Sequence, residues 1–158
     1  MQTMLVISMV LVALYVGATI YHTKKIPESI SAMVYAFPFK WLWTIWLWLV
    51  AFLLAPSLID TLSENVKFIG FLTIASLGFC GAMPLFDKEN NSLHNIFGFS
   101  AGILSQVCVA LISPWWLTLW FSYVLLTAGI WRWTEGKGVF FMECICYLTL
   151  VGALINGF

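Results

Sequence analysis

The chain has 158 residues, 62% of them hydrophobic and 9% charged, with seven Lys or Arg balancing seven Asp or Glu, and its mean hydropathy is +0.98. A soluble domain covers itself with roughly 25% charged residues, so this composition excludes a water-soluble shell. The balanced net charge also sets aside a nucleic-acid footprint and a polybasic patch.

A membrane-spanning helix uses about 20 apolar residues to cross roughly 30 Å of hydrocarbon, and the apolar runs divide the chain into six such segments. The reading is an all-α polytopic transmembrane bundle forming one domain over residues 1–158. Its helices are expected near 4–21, 41–59, 68–86, 93–112, 115–131 and 139–157. The first run has no Lys or Arg before it and has Lys24 and Lys25 after it, the reverse of a secretory signal. Between Pro27 and Pro38 a short stretch with Ser29, Ser31, Met33 and Val34 reads as a half-helix lying on the membrane or dipping into it. Helix two opens with Trp41 and Trp43, which fit an interfacial aromatic belt, and Trp115–Trp116 and Trp131–Trp133 fit belts at the two ends of helix five. Helix three is thinned by Gly70, Gly78 and Gly81, which permits close helix contact.

Loops one, three and five hold Lys24, Lys25, Lys40, Lys88, Arg132 and Lys137, against Lys67 alone on the other side. The positive-inside rule then makes the odd loops cytoplasmic, with both termini outside or in the periplasm of a cell (inner) membrane. The four cysteines, Cys80, Cys108, Cys144 and Cys146, fall in apolar runs and read as packing residues. Residues two apart on a helix point away from each other, so Cys144-x-Cys146 is not a redox or metal pair.

Polar residues inside these segments are the candidates for function, because a charged group at mid-helix costs roughly 2.5–3.5 kcal/mol on insertion scales. Glu143 lies early in helix six. His94 opens helix four, on an arc with Gly98, Ala101, Gly102, Ser105 and Cys108 that carries no large apolar side chain. That face is expected to look into protein, with Gly98, Gly102 and Ser105 packing against another helix. His94, Glu143, Ser29, Ser31 and Asp87 all fall toward the same membrane face and form a candidate polar pocket. The stretch 27–31 offers free backbone N–H groups to the Glu143 carboxylate. A zinc site from His22, His94 and Glu143 has the right number of ligands but lacks any H-E-x-x-H spacing. A serine nucleophile at Ser29 or Ser31 lacks a G-x-S-x-G elbow. No metal ligand, catalytic residue or cofactor is therefore assigned.

The order Ile-Pro-x-Ser-Ile-Ser (Ile26 to Ser31), Met-Pro-Leu-Phe (Met83 to Phe86), Leu-His-Asn (Leu93 to Asn95) and a polar residue early in helix six resembles a group of uncharacterised six-helix bacterial membrane proteins. The likeness spans most of the chain and departs where those proteins carry paired tyrosines after Ser-Ile-Ser. It implies the six-helix topology and draws attention to Ser29, Ser31, Pro84 and His94. Two functions are expected. One is a small non-enzymatic membrane protein, accessory, lipid-binding or transport-related, with membrane lipid and a partner membrane protein or second copy as its partners. The alternative is a membrane-embedded enzyme acting on a lipid or small amphiphile at the cytoplasmic leaflet, with His94 and Glu143 as acid and base.

Overall fold

A computed structural model describes residues 2–86, 92–129 and 136–157. Among them the regular structure is all helical, with α1 (Gln2–Thr23), α2 (Lys40–Thr61), α3 (Lys67–Phe86), α4 (Ser92–Ile112), α5 (Leu119–Gly129) and α6 (Gly138–Asn156). Three short 3-10 turns, Ser31–Tyr35, Glu64–Val66 and Pro114–Thr118, sit in the connections. Five helical segments are long and apolar enough to cross a membrane: Gln2–Thr23, Lys40–Thr61, Glu64–Phe86, Ser92–Ile112 and Gly138–Asn156. Inside a bilayer the backbone groups must be satisfied within the chain, and helices do this without any partner.

The helices pack in sequence, α1 on α2, α2 on α3 and α3 on α4, and α4 then packs on α6, which touches α2. Tyr147 of α6 closes the set by sharing a 3.1 Å hydrogen bond with Ser8 of α1. The core runs along α2, where Trp43, Leu47, Val50, Leu54 and Leu58 are all buried. Steps of three and four residues put these side chains on one helical stripe. Trp43, expected in the interfacial belt, is only 2% exposed and belongs to that stripe, whereas Trp41 is exposed. The correction has a simple cause, since Trp43 shares the inward face with Leu47 and Val50 and Trp41 does not.

Two connections differ from the sequence-based expectation. The stretch after α1 forms a 3-10 turn, Ser31–Tyr35, and Met33 and Val34 within it are buried in the core cluster. Of the two expected alternatives, lying on the membrane or dipping into it, the burial of this turn between helices agrees with the second, in a shorter form. The run expected as one helix over 115–131 begins as the 3-10 turn Pro114–Thr118, and α5 starts only at Leu119, described as far as Gly129. Pro114 starts that turn. Trp116 folds over α6 so closely that a β-carbon at Gly152 would overlap its ring. Only a glycine lets that indole lie flat on the α6 backbone. Trp115 is 80% exposed, as an interfacial tryptophan would be, while Trp131 and Trp133 lie outside the described residues.

Candidate functional site

Glu143 lies in the second turn of α6, and loop one is folded onto that turn by two backbone bonds. The Phe140 N–H donates to the Glu28 carbonyl over 3.0 Å. One turn deeper, the Glu143 carboxylate accepts from the Ile30 N–H. A carboxylate within a span must find donors to offset its lost hydration, and here it finds one in the free N–H groups that precede a helical turn. Ser29 and Ser31 flank this contact with their hydroxyls 2.9 Å apart, and Ser29 Oγ accepts from the Ala32 N–H over 2.9 Å. The two serines therefore brace the turn that presents Ile30 to Glu143. Glu143 forms no ion pair with Lys137; among the described residues the ion pair present joins Lys67 to Glu64, near the other end of the bundle.

His94 is brought to a different partner. The residue is 9% exposed, and its Nδ1 donates to the Cys80 carbonyl of α3 over 3.0 Å, with Cys80 Sγ 3.7 Å away. Because a Cys80 carbonyl can only accept, the Nδ1 carries the proton. No hydrogen bond joins His94 to Glu143, Ser29 or Ser31. Asp87 lies outside the described residues. One turn along α4, a β-carbon built at Gly98 would lie 3.6 Å from Cys80 Sγ, and one at Gly102 would lie 4.0 Å from Cys146 Sγ of α6. Ser105 is buried and donates to the Gly102 carbonyl over 2.7 Å. The slim face of α4 thus faces α3 at Gly98 and α6 at Gly102, and His94 and Glu143 each bond a different backbone group.

A third polar centre escaped the sequence reading. Gln106, midway along α4, donates from Nε2 to Ser105 Oγ at 3.1 Å and to the Cys146 carbonyl at 3.2 Å. Its Oε1 accepts from Trp120 Nε1 at 2.9 Å and from Thr149 Oγ1 at 3.0 Å. Both donors and both lone pairs of the amide are used, which ties α4, α5 and α6 together. The signal was present: an uncharged amide in a span is as conspicuous as a carboxylate once hydrogen-bonding capacity is counted instead of charge.

The seam between α1 and α2 contains an open groove of about 310 Å³, lined by Tyr15, Ala18, Phe37, Leu42, Ile45, Trp46 and Leu49. Leu42, Ile45, Trp46 and Leu49 follow the three-and-four spacing of one α2 face, and Tyr15 and Ala18 share a face of α1. Phe37, delivered by loop one, sits at the loop end, where its ring stacks on His22 at 5.3 Å and meets Tyr15 edge-on at 5.8 Å. Tyr15 stacks in turn on Trp46 at 4.4 Å. A second cavity of about 270 Å³ lies at the other end of the bundle, among Thr61, Leu62, Ser63, Val66, Leu111, Ile112 and Gly157. Neither cavity is lined by His94, Glu143, Ser29 or Ser31. Among the described residues no three His, Cys, Asp or Glu side chains are grouped to hold a metal. Comparison with protein-family models, curated proteins and solved structures finds no match for this chain, so its likeness to six-helix membrane proteins rests on the short motifs alone.

Proposed function

We propose that this is a non-enzymatic integral membrane protein that holds a membrane lipid in the groove between α1 and α2. The observation that carries the reading is the groove itself: it is walled entirely by apolar and aromatic side chains. Ligand sites commonly have this character, and an acyl chain is the apolar ligand that surrounds such a wall. An enzyme using His94 and Glu143 as acid and base has less support. Nδ1 of His94 is committed to the Cys80 carbonyl, Glu143 to the Ile30 N–H, and neither side chain lines either of the two cavities described above.

The test is native mass spectrometry of the full chain released from mild detergent. Wild type is expected to retain one phospholipid, and Ala18→Trp, which fills the groove from the α1 side, is expected to lose it. Wild type free of lipid, or lipid retained equally by Ala18→Trp, would overturn the proposal. The same reading places the end carrying Lys24, Lys25 and Lys40 in the cytoplasm of the cell (inner) membrane. A single-cysteine series with a reporter at residue 88 should be labelled only after permeabilisation; labelling from outside reverses the orientation.

A further inference from the structure

The formal charge of the chain sums to zero, but the fold distributes that charge unevenly around the groove. On α1, Tyr15, Ala18 and His22 are spaced three and four apart and therefore line one stripe, which leads from the groove wall to the imidazole stacked on Phe37. The stripe runs out at Lys24 and Lys25, both exposed. On the other side of Phe37 the chain reaches Lys40, the first residue of α2. The mouth of an apolar groove is thus flanked by three lysines and a histidine.

Local geometry keeps the lysine ammonium groups in place without neutralising them. Lys24 adopts a left-handed backbone, φ 55°, a conformation that costs a non-glycine residue about 1 kcal/mol. Its N–H caps α1 by donating to the Ile20 carbonyl over 2.8 Å. Thr23 Oγ1 accepts from the Lys25 N–H over 3.4 Å and so braces the turn. The ammonium of Lys24 rests 3.8 Å from the centre of the Tyr21 ring, and that of Lys40 rests 5.5 Å from Tyr35. Among the described residues no carboxylate pairs with Lys24, Lys25 or Lys40. Glu28, in the same loop, gives its backbone carbonyl to Phe140, and its side chain is not within ion-pair reach of them.

We infer that the occupant of the groove is an anionic phospholipid, with one acyl chain along Leu42, Ile45, Trp46 and Leu49 and its phosphate at the rim formed by His22, Lys24, Lys25 and Lys40. The inference rests on the lipid-holding reading above and adds the headgroup. From Leu42 to Leu49 the α2 wall extends about 10 Å at about 1.5 Å per residue, so the chain is gripped near its glycerol end, where the phosphate meets the lysines. A zwitterionic lipid would bring its own cation to this rim and gain less.

The experiment is competition between phosphatidylglycerol and phosphatidylcholine of identical acyl chains for the full-length protein in mixed detergent micelles, read by native mass spectrometry. Each rim lysine should contribute about a five-fold preference for the anionic lipid at low salt. The double variant Lys24→Gln/Lys25→Gln is expected to lose most of that preference, while phosphatidylcholine binding is unchanged and circular dichroism shows the same helix content. Ala18→Trp should lose both lipids. Equal retention of the two lipids by wild type, or a preference indifferent to the lysine variant, would overturn the headgroup assignment and leave the groove reading standing. Loss of neither lipid in Ala18→Trp would instead sink the groove reading itself.

Discussion

The seam between α4, α5 and α6 and the seam between α1 and α2 solve the same packing problem in opposite ways. At the first, Gln106 spends all four hydrogen-bonding positions on Ser105, Cys146, Trp120 and Thr149, and Trp116 lies directly on the Gly152 backbone. At the second, Trp46 Nε1 makes a single bond across the seam, to the Leu11 carbonyl over 3.1 Å. Thr19 Oγ1 of α1 and Trp43 Nε1 of α2 are buried without a partner, and an open groove remains between the two helices. Apolar burial gives no drive between helices surrounded by lipid tails, so close contact and polar bonding must supply the cohesion. The difference separates the part of the molecule that holds itself together from the part that leaves room for something else.

The sharpest way to break this comparison is to empty the polar hub. Gln106→Leu removes the bonds to Trp120, Thr149, Ser105 and Cys146 while keeping similar volume. Interhelical hydrogen bonds in membrane proteins average about 0.6 kcal/mol each, so the loss expected is about 2 kcal/mol. Thr149 cushions part of it, because its hydroxyl also reaches the Ile145 carbonyl over 2.9 Å. Unfolding of the purified protein in mixed micelles of rising SDS fraction would measure this; a change under about 0.5 kcal/mol would show that packing, not Gln106, joins α5 to the bundle.

A middle-sized effect is expected at the loop-one clamp, which borders the α1–α2 seam through Phe37. Glu143→Leu leaves the Ile30 N–H without its acceptor, a loss of about 1–2 kcal/mol for a partly buried donor. Its local consequence is faster protease cleavage within 24–31, because a loop held by fewer bonds opens more often. Glu143→Gln keeps a carbonyl oxygen in the same place, so cleavage should stay near the wild-type rate. Equal cleavage of wild type and Glu143→Leu would mean that Met33 and Val34, buried in the core, hold the loop unaided.

How much of this was legible in the sequence depends on what each feature needs. The five long spans follow from hydropathy alone, because length and composition decide whether a segment can cross a bilayer. The slim arc of α4 was legible because its missing side chains repeat at helical spacing, and the arc proves to face Cys80 and Cys146. The inward face of α2 is harder to read: a helix apolar all round offers no polar face to contrast with it, which is why the expectation of an interfacial Trp43 fails. The 3-10 start before α5 is set by Trp116 meeting Gly152, a contact between residues far apart in the chain. The groove is likewise a product of three segments, α1, α2 and Phe37 from loop one, and no single stretch announces it. His94 and Glu143 were conspicuous for their cost in a membrane, but each is met by a different backbone group, and the sequence gives no indication of which group each one finds.

The smallest expected effect bears directly on the looser seam. Thr19 is 1% exposed, and its hydroxyl makes no hydrogen bond even though its backbone carbonyl accepts from Thr23 Oγ1 over 2.8 Å. A buried hydroxyl without a partner is costly, whereas a methyl of the same size in its place is satisfied by packing alone. Thr19→Val should therefore raise stability by about 0.5–1 kcal/mol. At the satisfied seam the matching exchange, Thr149→Val, should lower it by a similar amount, since the one Thr149 hydroxyl proton always has an acceptor within reach, Gln106 Oε1 or the Ile145 or Cys146 carbonyl. Opposite signs for one chemical change would establish that the two seams differ in polar satisfaction, independently of any ligand. If Thr19→Val were destabilising, its hydroxyl would have to have a partner in the membrane, and the α1–α2 seam would be as well bonded as the other.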